Sequence, residues 1–454
     1  MDTRALLALA ADGAATHLQS VYAADARSVA PTAAALDALR GLSAALPEDG
    51  RPAADVTEEL ARVGSAASHA SPGARYFGFV TGGTLPAALA ADWLVSAFDQ
   101  NAWCPPTSPC ATHFEALALA WLLQLLRLPS EASAALCSGC TAANVIALAA
   151  GRDAVLQAAV GWDAAADGLV GAPPIAVYVG EECHGSVLKA LGVVGLGRGA
   201  KGKRVRLEAE LEAEFMHVRR LAVDGRGAVL ASALAGVAPP TAPALVALQA
   251  GHVNTGAFDE LEAVIAWARS GATGGRGVWV HIDGAFGLWA AASASPERRA
   301  LVAGAADADS RRTARLSVPY DSALVAVRDG RCLHGAMSSS MPYLAAPPAS
   351  EASAGAGGGG GGRRGGVPDK RVLNEPPPFN QALISFGSDA VTAAAVDALQ
   401  RGGRCWAGAA PYHGRVVMRL SVSSWRTTEA DVREAAHVML ECAAAAAAAE
   451  AAQE

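Results

Sequence analysis

Asp283 closes the apolar run Val278-Trp279-Val280-His281-Ile282 and is followed by Gly284-Ala285-Phe286-Gly287. An acid at the carboxyl end of a buried strand is costly unless a cation meets it. That makes Asp283 the most informative residue in the chain. His184 stands in Glu182-Cys183-His184-Gly185-Ser186, after the apolar run 175–179. An imidazole there could stack on a ring or donate a proton; it could equally cap the next helix. Cys137-Ser138-Gly139-Cys140-Thr141 opens an apolar helix. Free amides and the helix dipole would make this start an anion cup, although serine and threonine cap most helices anyway. The polar loop Gln249-Ala250-Gly251-His252-Val253-Asn254-Thr255-Gly256 leads into a helix for which Asp259 is the expected cap.

These four stretches need a scaffold that brings strand ends together. Short apolar runs at 135–137, 175–179, 244–248 and 278–282 alternate with helical patterns, which predicts βαβ units and a mostly parallel sheet. In such folds ligands gather at the carboxyl ends of the strands. The expected organisation is an N-terminal helical segment over 1–73, a large α/β domain over 74–344, a glycine-rich linker over 345–370 and a small α+β domain over 371–454. In the last of these, strands are predicted at 382–386 and 416–422, with helices near 388–401 and 428–441.

Composition excludes several classes. The net charge is -7, whereas nucleic-acid binding needs a basic face. The one basic cluster, Lys201, Lys203, Arg204 and Arg206, is followed at once by Glu208, Glu210, Glu212 and Glu214 and reads as solvated. No run of about 18 large apolar residues suggests a membrane span. The N-terminus lacks a basic start with a compact apolar segment, so a secretory signal is not expected. The eight cysteines lack zinc-like spacing, which together predicts a cytoplasmic chain with reduced thiols and no metal site. Gly197-Arg198-Gly199-Ala200-Lys201-Gly202 fits a nucleotide-binding pattern, but it does not join a strand directly to a helix and is set aside.

In order and spacing the four motifs resemble the pyridoxal-phosphate-dependent amino-acid decarboxylases of the aspartate-aminotransferase superfamily. The likeness begins at Tyr76-Phe77-Gly78-Phe79-Val80 and Ala91-Asp92-Trp93-Leu94 and passes through Pro319-Tyr320-Asp321-Ser322 and Val325-Ala326-Val327-Arg328-Asp329. It resumes at Val372-Leu373-Asn374 and Phe379-Asn380-Gln381, and closes on Met418-Arg419-Leu420-Ser421-Val422 and Trp425-Arg426-Thr427-Thr428. The resemblance implies a fold-type-I architecture, pyridoxal 5'-phosphate as electron sink, an amino-acid substrate and a homodimer. By position it assigns Asp283 to the ring nitrogen, Ala285 and His184 to the two ring faces, and Gly139, Cys140 and Thr141 to the phosphate. Asn254 is a further cofactor-binding candidate. Phe79 is a candidate for substrate selection, and Arg419 for the substrate carboxylate or a structural salt bridge.

The likeness fails at one place. The family carries its imine-forming lysine in an Asp-x-His-Lys sequence just before the Pro-Tyr-Asp stretch. Here the window reads Ala308-Asp309-Ser310-Arg311-Arg312-Thr313-Ala314-Arg315-Leu316-Ser317-Val318-Pro319. It has no lysine and is about three residues shorter than the family pattern. The four lysines of the chain are Lys189, Lys201, Lys203 and Lys370. Arg315 is no substitute, because a guanidinium stays charged and forms no useful imine. Two readings remain: a diverged paralogue, or a sequence from which coding segments have been skipped. Either way, catalysis by this chain is expected to be weak or absent. The alternatives on the same scaffold are a non-catalytic dimerising protein that binds the cofactor without a covalent bond, and other lyase or aldehyde-forming chemistry.

Overall fold

The computed structural model describes residues 2–23, 27–42, 45–105, 107–199, 218–271, 273–314, 317–338 and 371–451. The basic cluster at 201–206, Arg315 and the glycine-rich linker at 345–370 lie outside them. The chain forms two compact units, residues 87–365 and residues 1–86 with 366–454. Residues 1–86 thus group with the C-terminal part, whereas the sequence reading separated 1–73 and began the large domain at 74.

Along the chain run α1 (Thr3–Tyr22), α2 (Ala33–Arg40), α3 (Pro86–Phe98) and α4 (Pro109–Leu125). A seven-stranded sheet then builds the larger unit. Its strands are β1 (Ser133–Cys137), β2 (Ala176–Gly180), β3 (Val218–Leu221), β4 (Ala244–Gln249), β5 (Val278–Asp283), β6 (Ser310–Ala314) and β7 (Ala323–Val327). Their order is β1-β7-β6-β5-β4-β2-β3. All run parallel except β7, which pairs antiparallel with both β1 and β6. Cys137, Gly180, Gln249, Asp283 and Ala314 therefore end their strands along the same edge. The four predicted strands of this sheet are present within one or two residues. Strands β3, β6 and β7 were not predicted.

Every residue of β4 and β5 is buried, as a parallel sheet covered on both sides requires. The helix α5 (Cys140–Val160) lies on the face shown by Trp279 and His281, and its own Ala147, Leu148, Ala150 and Leu156 are buried. Length and apolar composition alone would let α5 cross a membrane, but half of its most apolar stretch is buried inside the protein. Contact is so close that a Cβ on Gly151 would stand 2.7 Å from Trp279 Cδ1. The shorter helix α6 (Gly185–Val193) follows β2, and α7 (Leu261–Arg269) follows β4.

In the second unit an antiparallel sheet contains β8 (Arg371–Val372), β9 (Gln381–Ser385), β10 (Gly408–Tyr412) and β11 (Arg415–Ser421), in the order β10-β11-β9-β8. Helices α8 (Asp389–Gly402) and α9 (Glu429–Ala451) complete it, and the C-terminal alanine tract continues α9 rather than ending it. Phe77 shares a core with Leu399, Met418 and Met439. Its backbone amide donates to Trp406 O at 2.8 Å and its carbonyl accepts from Ser421 N at 3.0 Å. Tyr76 stacks on Trp406 with ring centroids 4.9 Å apart.

In an open helix, replacing glycine by alanine gains roughly 1 kcal/mol of propensity. At Gly151 the indole blocks the new methyl, and overpacking costs about 1–3 kcal/mol. Gly151→Ala is therefore expected to lower the melting temperature. A rise would show that the α5–Trp279 contact is looser than this.

Candidate functional site

Asp283 and Arg312 are register partners on the adjacent parallel strands β5 and β6. Successive side chains of a strand point to opposite faces. Arg311 accordingly turns away and donates to the carbonyls of Ala305, Ala306 and Ala308. Arg312 points the same way as Asp283. Its Nη2 donates to Asp283 Oδ2 in a short contact and to Ser186 Oγ at 3.2 Å. The two side chains retain 1% and 4% of their accessible surface, so the ion pair is dry.

Burial alone would push the Asp283 carboxyl up. The charge of Arg312 and its hydrogen bond prevail and hold the group below the ordinary carboxylate value. Burial would likewise pull Arg312 down, but Asp283 and the adjoining Cys140 thiol restore it and raise it above the ordinary arginine value. Asp283 is thus an anion and Arg312 a cation. The pairing is incomplete, because Arg312 Nε and Nη1 have no hydrogen-bond partner among the described residues. Each such buried donor costs roughly 1–3 kcal/mol.

A chain of directed hydrogen bonds surrounds this pair. Trp279 Nε1 donates to Ser310 Oγ at 2.8 Å, leaving the Ser310 hydroxyl to donate to His281 Nδ1 at 3.0 Å. His281 Nε2 then carries the proton and donates to Asn144 Oδ1 at 2.9 Å. Asn144 Nδ2 donates to Ser186 Oγ at 3.1 Å. Ser186 Oγ lies 2.8 Å from His184 Nδ1, which also accepts from the Ser186 backbone amide at 3.2 Å. The chain of bonds joins β5 and β6 to the first turns of α5 and α6.

His184 caps α6, one of the two roles the sequence allowed, and it lines a small cavity with Asp283, Gly180, Cys183, Gln249 and Asp259. That cavity measures about 10 Å³, barely enough for one water. Gly139 caps α5 without a side-chain bond and would meet nothing within 4 Å if it carried a Cβ. Cys140 and Thr141 begin the helix half-buried. Ala285 donates its amide to Asp283 Oδ1 at 3.3 Å.

Other expected residues sit elsewhere. Asn254 is half-buried in its loop and is not among the residues lining the cavity. Asp259 does not cap α7, whose first flanking position is Glu260 with no side-chain cap. Its carboxylate accepts instead from Val229 N at 2.8 Å and Gln249 N at 2.7 Å. Burial pushes that carboxyl up to about 7, against the pull of the two amides toward the anion. Phe79, 65% exposed and 5.3 Å from Trp406 between ring centroids, belongs to the other unit, as does half-buried Arg419. Lys189 is exposed on α6. A cavity of about 880 Å³, lined by N-terminal residues such as Asp12, Arg27 and Glu58, also lies in that other unit. Among the described residues no group of three or more His, Cys, Asp or Glu is placed to hold a metal ion.

Sequence reasoning missed Arg312, Ser186, Asn144 and His281 as members of the site. The available signal was the phase of β5. His281 and Asp283 are two residues apart and must share a face, and each needs polar company there.

The family model described as the pyridoxal-dependent decarboxylase conserved domain matches residues 36–355. Tryptophan decarboxylase 1 of Oryza sativa subsp. japonica is 29% identical over 289 residues, covering 61% of this chain and 52% of that protein. L-2,4-diaminobutyrate decarboxylase of Rhizobium meliloti (strain 1021) is 29% identical over 250 residues, covering 54% and 42%. The chain thus spans about half the length of the curated relatives it matches. Among solved structures, mouse CSAD superposes with a TM-score of 0.77 at 18% identity, covering 97% of this chain and 98% of that one. Oryza sativa TDC with PLP and tryptamine superposes with 0.75 at 20%, covering 98% of each chain. At these identities the superpositions establish the shared fold.

Burial pulls His281 down to about 3 from its ordinary 6.5. The group contributes its full stability above pH 6.5. Below that, the unfolded chain takes up a proton that the folded one refuses, and stability falls toward pH 3 by at most about 1.4 kcal/mol per pH unit. In urea unfolding between pH 6.5 and about pH 4.5, His281→Gln should flatten the pH slope by up to that amount. An unchanged slope would mean that His281 is not held neutral.

Proposed function

Because the chain belongs to the pyridoxal-dependent decarboxylase family, we propose that its site is laid out for decarboxylation of an amino acid and that this chain turns over weakly or not at all. The carrying observation is Asp283, ionised at the carboxyl end of β5 with His184 lining the same cavity. Pyridoxal phosphate is the cofactor of that family. The residues as arranged do not accommodate it. Asp283 already has a cation, and no lysine lies between residues 204 and 369. What the chain retains is the parts around a ring: an acid, an imidazole and a helix start at Gly139, Cys140 and Thr141. A guanidinium at 312 supplies neither an imine nor a proton at neutral pH.

The test is incubation of purified protein with pyridoxal phosphate, borohydride reduction, peptide mapping and carbon dioxide release from a panel of amino acids. No reduced adduct in the site and background release are expected. Carbon dioxide release well above background would overturn the proposal of weak turnover.

Homodimerisation belongs to the same reading. Exposed Leu94, Val95 and Phe98 on α3, with Phe114, Trp121 and Leu125 on α4, support it, since several large apolar side chains left in water on one helix favour burial against a partner. Light scattering should give twice the chain mass, reduced to one by Trp121→Glu with Phe114→Glu; a monomeric wild-type protein would refute it. Eight free thiols support a cytoplasmic location. Expression in cells with a fluorescent tag tests this, and sorting to a secretory compartment would count against it.

A further inference from the structure

We propose that Arg312 is a built-in occupant of the ring site, a protein guanidinium in the place a cofactor's ring nitrogen would take on Asp283. This rests on reading Asp283, His184 and residues 139–141 as a ring site. The pair is not an accidental surface contact. Asp283 and Arg312 are opposite each other in the β5–β6 register, so the backbone itself sets them side by side. Ser186 at the start of α6 accepts a second bond from the same guanidinium nitrogen. The Cys140 thiol at the start of α5 also lies against the guanidinium. Arg312 thus reaches from the acid toward the helix start that would cradle a phosphate.

A guanidinium and a protonated pyridine ask the same thing of Asp283: a carboxylate that accepts an N–H beside a positive charge. They compete for it. They differ in everything else, because a guanidinium neither withdraws electrons from a bound substrate nor forms an imine. Its anchorage among the described residues depends on Asp283, Ser186 and the adjoining Cys140 thiol. A ligand offering Asp283 another cationic N–H has to displace Arg312 first.

The consequence is measurable without turnover. If Arg312 holds Asp283 in about nine molecules of ten or more, removing it should tighten ligand binding by about tenfold or more. The probe is pyridoxamine 5'-phosphate, which keeps the ring and phosphate but lacks the aldehyde that would react with surface lysines. Calorimetric titration of the full chain should give weak binding for wild type and at least about tenfold tighter binding for Arg312→Gln. The second variant, Arg312→Met, should show the same gain. Adding Asp283→Asn to either should abolish it.

Micromolar binding by the wild-type protein would overturn the proposal on its own, whatever the variants do, and would leave the ring site standing. Equal affinity with and without Arg312, or a gain that survives Asp283→Asn, would also overturn it. If wild type and folded Arg312 variants alike fail to bind, the proposal and the ring-site reading fall together.

Discussion

A carboxylate in the interior of a parallel sheet stays ionised only if a cation stands within hydrogen-bond distance, and in this chain that cation is Arg312. Two buried ions gain less from each other than they lose in hydration unless geometry is good and the remaining hydrogen-bond capacity is satisfied. Geometry here is supplied by strand register, which sets the two residues side by side before any side chain is ordered. Hydrogen-bond capacity is only partly supplied, because one guanidinium nitrogen is shared by Asp283 and Ser186 while two others have no partner among the described residues. Removing either ion alone would leave an uncompensated charge in a dry site.

The neutral network around the pair explains why the polar residues of this core are specific. His281 is fully buried and must stay uncharged, so each ring nitrogen needs one donor or one acceptor and not two of a kind. Ser310 provides the donor because its own lone pair is already engaged by Trp279. Asn144 provides the acceptor and turns its amide to Ser186. A charged His281 beside Arg312 would also be repelled. Neutral histidine and cationic arginine are therefore consistent halves of one electrostatic arrangement around a single anion.

The apolar strands were legible because burial on both faces writes continuous hydrophobic runs, as in Ala244–Gln249 and Val278–Asp283. Strand β6 was not, since Ser-Arg-Arg-Thr-Ala carries no such run. Its arginines are buried by partners that sequence does not display: three carbonyls for Arg311 and an acid 29 residues away for Arg312. Asp283 was legible as an acid needing a cation, and the family likeness assigned that role to the ring nitrogen of the cofactor. Arg312 as its partner within the chain became visible only through the β5–β6 register. Pairing of residues 75–77 with Trp406 and Ser421 was invisible for a similar reason, since a contact across more than 300 residues leaves no local pattern.

Loss of a lysine and gain of a buried arginine are separate physical facts with different consequences. A ring site without its lysine would still present an ionised acid, an imidazole and a helix start to a phosphate and a cationic ring. It would be open, and the acid would be uncompensated until a ligand arrived. With Arg312 on the neighbouring strand the acid is compensated by the chain itself. The same guanidinium that stabilises Asp283 as an anion removes the reason for anything else to bind there. The charge of Asp283 is thereby balanced without a cofactor, and that closure, rather than the missing imine alone, separates this site from one poised for pyridoxal chemistry.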